Sequence, residues 1–133
     1  MAQLPPSLQD LVNRFQQAQN QLQSVLLRKQ QYEAELRDVE KALGEIEKLA
    51  QDAKIYKSVG NFLLQTNRDV ALQELKERKE LLELHIKTLS RQESMLREQL
   101  DKLRDDINKE LIRLRGGGAG GGAQPTAPAK GGG

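Results

Sequence analysis

The sequence predicts a mainly α-helical chain: a long antiparallel two-helix coiled coil whose helices are joined by a β-hairpin. Three observations carry that prediction. Apolar residues recur at heptad spacing through the first half, and the same spacing returns through the second half. Between the two lies "KIYKSVGNFLLQTN" (Lys54 to Asn67), whose alternation around a central Gly-Asn suits paired strands. The expected organisation is a short extension over 1–6, one domain over 7–115 and a flexible Gly-rich tail over 116–133. Within the domain, helix is expected over 7–50, hairpin over 54–67 and helix over 69–115.

Composition narrows the choice of core. Charged residues make up 30% of the 133 and aromatics 3%, with no Trp, which argues against a broad multi-layer core. The apolar residues are mostly Leu, which suits a narrow helical seam. Twenty-one Lys and Arg against nineteen Asp and Glu leave a net charge of +2 with no basic block, which argues against nucleic-acid binding. The absence of Cys excludes disulfides and thiolate metal sites and fits a reducing compartment. No apolar run approaches the ~18 residues of a membrane span. The opening "MAQLPPSLQD" lacks the pattern of a secretory signal, and a cytoplasmic location is expected.

The first helix has a start signal in Pro5 and Pro6, with Ser7 as N-cap and Asp10 as a weak capping-box partner. One seam series then reads Leu8, Phe15, Leu22, Lys29, Leu36, Leu43, Ala50. The interleaved series reads Leu11, Ala18, Val25, Tyr32, Val39, Ile46. Asn67 or Asp69 can cap the second helix. Its series are Leu75, Leu82, Leu89, Leu96, Leu103 and Leu72, Lys79, Ile86, Glu93, Leu100, Ile107, Leu114. Each helix should span roughly 65 Å at ~1.5 Å per residue.

A short connection makes the helices antiparallel neighbours. One register matches every seam residue: Leu8 with Leu114, Phe15 with Ile107, Leu22 with Leu100, Leu36 with Ile86 and Ala50 with Leu72. It also sets Lys29 opposite Glu93. A slip by one heptad would leave the Lys29 charge beside aliphatic side chains, which is costly. A Lys29–Glu93 pair that fixes register is therefore expected, the alternative being that both side chains snorkel outward. Lys79 faces Leu43 in this scheme and is expected to snorkel without a partner.

Gly60-Asn61 fits a two-residue type II′ turn. Val59 then faces Phe62, Lys57 faces Leu64 and Ile55 faces Thr66, all on one face. Tyr56, Ser58, Leu63 and Gln65 take the other. A loop without strand pairing is the competing reading. An isolated two-stranded hairpin is marginal in water and its edges invite further strands. The segment cannot bury Phe62, Leu63 and Leu64 by itself, so oligomerisation through hairpins is inferred.

A long helix, then this Tyr56-Lys57-Ser58-Val59-Gly60-Asn61 core, then "LQELKERKELLELHIKTLSRQESMLREQL", resembles the β class of the prefoldin (GimC) family, of archaeal type. The likeness covers about residues 7 to 115. α-Class subunits carry two hairpins, and only one fits here. The resemblance implies a hexamer of two α-class and four β-class subunits, its hairpins joined into an oligomeric β-barrel platform from which coiled coils hang. It implies an ATP-independent holdase, without cofactor or enzymatic activity, that captures non-native clients and passes them to a group II chaperonin. The hairpin residues Ile55, Tyr56, Val59, Gly60, Phe62, Leu63 and Leu64 are the oligomerisation candidates. Client contact in the family is attributed to the free coiled-coil ends. Here those ends offer Leu8, Leu11, Val12, Phe15, Ile107, Leu111, Ile112 and Leu114, with Leu4 preceding the helix.

For the seam residues Leu8, Leu11, Phe15, Ile107 and Leu114, simple closure of the coiled coil is an equal reading. Val12 and Ile112 lie beside the seam and are assigned to client contact. Leu26, Leu27 and Met95 form a second off-seam group that either grips or broadens the core. Leu49, Val70, Leu81 and Leu84 are expected to pack near the platform. His85 is the single histidine, without a second ligand at metal spacing, and no nucleophile has a His partner. The rival function is a structural coiled-coil spacer with one dedicated partner.

Overall fold

The computed structural model describes residues 4–119. Helix α1 spans Pro6–Glu47, strands β1 and β2 span Ile55–Val59 and Phe62–Thr66, and helix α2 spans Arg68–Ala119. The strands pair antiparallel with Ile55 opposite Thr66, Lys57 opposite Leu64 and Val59 opposite Phe62. Gly60 turns the chain at a φ of 59°, the left-handed region that primed hairpin turns require.

The helix ends differ from the expected ones in instructive ways. Ser7 is not the N-cap. The Pro5 carbonyl accepts from the Gln9 amide at 2.9 Å, which puts Pro6 in the first helical position, where a missing N–H costs nothing. The Ser7 hydroxyl is thereby free to bond elsewhere. At the other end α1 stops at Glu47 rather than at residue 50. Lys48 and Leu49 bond back to Glu45 and Ile46 in tighter three-residue turns, and Ala50 leaves the seam exposed. The Arg68 guanidinium donates to the Glu47 carbonyl at 3.0 Å and so satisfies one of the helix's open acceptors.

Asn67 is the N-cap of α2. Its side-chain oxygen accepts from the Val70 amide and its carbonyl from the Ala71 amide, both at 2.9 Å. Asp69 lies inside the first turn, where the helix dipole favours its charge. The helix continues four residues past Arg115, through Gly116–Ala119, since no proline intervenes before Pro125. The remainder of the expected tail, and of the extension before Leu4, lies outside the described residues.

The chain divides into two compact units. Among the described residues, 4–23 with 94–119 form the terminal unit, and 24–93 form the hairpin unit. The terminal unit is built on Ala18, Leu100 and Leu103, with Leu11, Phe15, Leu22 and Leu96 packed against them. The hairpin unit is built on Val39, Leu43 and the fully buried Leu82, with Tyr32, Leu36, Leu72 and Leu75 around them. These are seam residues. Ala71 is buried without belonging to either seam series.

Candidate functional surfaces

Two surfaces stand out because they expose what a folded chain ordinarily hides. The first is the hairpin. Phe62 and Leu63 are 71% and 72% exposed, and Tyr56, Val59 and Leu64 are exposed with them. Only Ile55 and Thr66, at the base of the strands, are half-buried. Lys57 at the middle of β1 reaches α2 and pairs with Glu74 at 3.1 Å, tying the hairpin to the helix. The base is held further by a Gln51–Asp69 hydrogen bond of 2.9 Å. The structure thus fixes the hairpin at its root and leaves its apolar length bare.

The second surface belongs to the terminal unit. Leu4, Leu111, Leu114 and Ile112 (62%) are exposed there, while Leu11, Val12, Phe15 and Ile107 are half-buried. Leu8 is only 3% exposed. That burial suits the closure of the helical pair, one of the two readings open for Leu8. Met95 is exposed in the same unit. In the hairpin unit Leu27, Leu49, Val70, Leu81 and Leu84 are exposed, and Leu26 is half-buried.

Polar pairs flank the seams. Lys29 Nζ donates to Glu93 Oε1 at 2.9 Å, with both side chains less than a quarter exposed. Arg78 grips Glu35 through Nε and Nη2 at 2.6 and 2.8 Å. That two-point bond holds the Glu35 carboxyl below its usual range, and raises Arg78. Lys79 does snorkel, yet it finds Glu40 at 3.6 Å, so the expectation that it lacks a partner is corrected. In the terminal unit Glu110 accepts from Arg113 and from the Ser7 hydroxyl, the latter at 2.6 Å. The Arg113 bond, then the Ser7 bond, push its pKa down to about 2.

His85 is half-buried and stacks on Tyr32, with ring centroids 4.9 Å apart and planes 14° from parallel. Among the described residues no cluster of His, Cys, Asp and Glu could hold a metal ion, and no helix is long and apolar enough to cross a membrane. Sequence reasoning passed over Arg68, Glu110 and the Arg78–Glu35 bridge. The antiparallel register sets Arg78 opposite Gly44 rather than Glu35, so seam matching does not mark that bridge. Nothing in the spacing marks Arg68, whose partner is a backbone carbonyl.

Comparison with known proteins matches this geometry to one family. A family model described as "Prefoldin subunit" matches residues 9–112. A prefoldin subunit beta of Pyrobaculum neutrophilum is 84% identical over 117 residues, covering 88% of this chain and 93% of that protein. One from Pyrobaculum aerophilum is 74% identical over the full length of both chains. The crystal structure of the prefoldin beta subunit from Thermococcus strain KS-1 superposes with a TM-score of 0.74 at 41% identity, covering 84% of this chain and 97% of that one. With two long helices, one hairpin between them and relatives of this identity across most of its length, the chain belongs to the prefoldin subunit family, among its beta subunits.

Proposed function

We propose that this chain is the β-class subunit of an ATP-independent holdase, working in the cytoplasm as part of a hexamer of two α-class and four β-class chains. The observation that carries the reading is the bare hairpin. A rooted two-stranded sheet with Phe62 and Leu63 more than two-thirds exposed is unsatisfied in a single chain. Neighbouring hairpins would cover its faces and pair its edges, forming the platform.

The exposed side chains of Leu4, Leu111, Ile112 and Leu114, with half-buried Val12 beside them, support a client-binding role for the terminal unit. Unfolded chains present irregular apolar segments, and an open helical end can contact them without a shaped pocket. Release to a group II chaperonin would complete the cycle without catalysis by this chain. The test is aggregation of several unrelated denatured proteins, with and without the complex of this chain and an α-class subunit, in the absence of nucleotide. Suppression across the set is the expected result. Protection of one protein alone would favour a dedicated scaffold.

A further inference from the structure

Charge is distributed unevenly over the terminal unit. Along residues 4–23 the only ionic side chains are Asp10 and Arg14, and they pair with each other at 3.1 Å. Beyond Asp106 the α2 strip carries Lys109, Glu110, Arg113 and Arg115, and Glu110 accepts from Arg113. That leaves Lys109 and Arg115, both exposed and without an ion partner among the described residues. The two cations flank Ile112, each three positions away, the spacing at which helical side chains become neighbours on one surface. Ile112 is 62% exposed, with Leu111 and Leu114 exposed beside it in sequence. Asp105 falls on the same side of the helix but roughly 10 Å away along it, at ~1.5 Å per residue. That exceeds the ~8 Å over which exposed charges act at physiological salt. Asp106 falls on a different side of the helix. An exposed apolar side chain thus stands between two uncompensated positive charges.

We propose that this end of the terminal unit selects, among non-native chains, apolar segments flanked by Asp or Glu. The inference rests on the client-binding reading of the terminal unit and adds to it the charge of the preferred segment. A carboxylate on either side of a bound apolar group meets Lys109 or Arg115, and its attraction adds to the burial of Ile112. A Lys or Arg in the same place meets like charge, and the self-paired Asp10 and Arg14 of α1 offer nothing to offset it. Each such contact is exposed and weak, so the pair discriminates between segments more than it sets the overall affinity. Cations in the last turns of a helix also favour its dipole. That role alone would leave the choice between segments unchanged, so binding preference separates the two.

Three peptides with one common core of Leu, Val and Phe carry Glu, Ser or Lys on both flanks. Their binding to the full-length chain is read by the anisotropy of a shared dye. At low ionic strength the Glu-flanked peptide should bind about five- to tenfold more tightly than the Lys-flanked one, with the Ser-flanked peptide between them. The gap should close above ~0.5 M salt. Lys109→Glu with Arg115→Glu should invert the order. Lys87→Glu with Lys102→Glu changes the net charge equally at two other exposed cations of α2 and should keep it. Ile112→Ser should weaken the binding of all three.

Equal affinities for the three peptides overturn the charge selectivity and leave the client-binding reading standing. So does inversion of the order by the Lys87 and Lys102 pair. Failure of every peptide to bind, or indifference of all three to Ile112→Ser, removes the client-binding reading of this end and the selectivity with it. Adhesion to phosphatidylserine vesicles without any peptide preference, lost in Lys109→Glu/Arg115→Glu, overturns the proposal in favour of a membrane. A fall in native mass in that variant overturns it in favour of a second copy.

Discussion

Lys29 and Glu93 meet across the helical pair at 2.9 Å, each side chain more than three-quarters withdrawn from water. They interrupt two seams that are otherwise apolar at the same level, so the Lys29 charge would face aliphatic neighbours if Glu93 were removed. Glu93→Ala alone should lower stability by about 1–3 kcal/mol, the cost of a partly buried ammonium left without its carboxylate. Lys29→Leu combined with Glu93→Leu should be neutral or stabilising, while permitting heptad slips that the wild type forbids. Urea unfolding at fixed chain concentration checks the first expectation. Proximity coupling of thiols at positions 36 and 86 checks the second, as a single product in the wild-type background and mixed products in the double variant.

Leu82 sits at the centre of the hairpin unit with no exposed surface, in contact with the cluster of Val39 and Leu43. Leu82→Ala should cost about 2–5 kcal/mol through lost burial and the cavity left behind. Leu84→Ala, two residues away but on the exposed side, should change stability by less than about 0.5 kcal/mol. Chemical denaturation of both variants gives the comparison, and similar losses would contradict the seam.

Glu110 gives the terminal unit a pH dependence with a definite sign. Its carboxyl is depressed from 4.5 to about 2 by its bonds from Arg113 and Ser7. A depressed acid stabilises the fold above its unfolded pKa, and that contribution is lost as pH falls through the folded one. The difference in Tm between wild type and Glu110→Gln should therefore be constant above pH 4.5 and shrink as pH falls toward about 2. Ser7→Ala should reproduce a smaller part of the same window. A difference that stays flat across it would remove Glu110 as its source.

Gly60 occupies a φ of 59° with nothing within 4 Å of where a side chain would begin. The obstacle to substitution is therefore backbone conformation alone. Gly60→Val should cost about 1–2 kcal/mol, because a β-branched residue resists the left-handed region. Gly60→Asn should be better tolerated. If assembly depends on this turn, native mass should show the Val variant shifted toward smaller species and the Asn variant close to wild type.

How much of this was legible beforehand follows from what each signal measures. Heptad spacing reports contact between two helices, and it located Val39, Leu82 and Leu103 in the core. It cannot report a third element, so Ala71, buried where the hairpin returns beside the helix start, went unseen. Local motifs misled where a competing local solution was better. Pro6 fits the first helical position, which released Ser7 to bond Glu110. Seam matching sets Lys79 only against Leu43, and its partner Glu40 lies outside the seam series. The hairpin pairing was readable to the residue because a two-residue turn leaves one register for the strands.

The division of labour proposed for the two surfaces yields the sharpest functional test. Ile112 is 62% exposed, and Leu111 and Leu114 are exposed beside it in sequence, yet none belongs to the buried cluster of the terminal unit. Leu111→Ser with Ile112→Ser should thus leave stability nearly unchanged while reducing client capture. Leu8→Ser should do the reverse, since Leu8 is buried: it should destabilise the unit by about 2–4 kcal/mol. Removing the residues before Gln16 and after Asp106 should abolish aggregation suppression and leave the native mass of the assembly reduced only by the residues deleted. Capture that survives both the surface pair and the truncation would place client binding elsewhere, with the exposed Leu27, Leu81 and Leu84 of the hairpin unit as the next residues to vary.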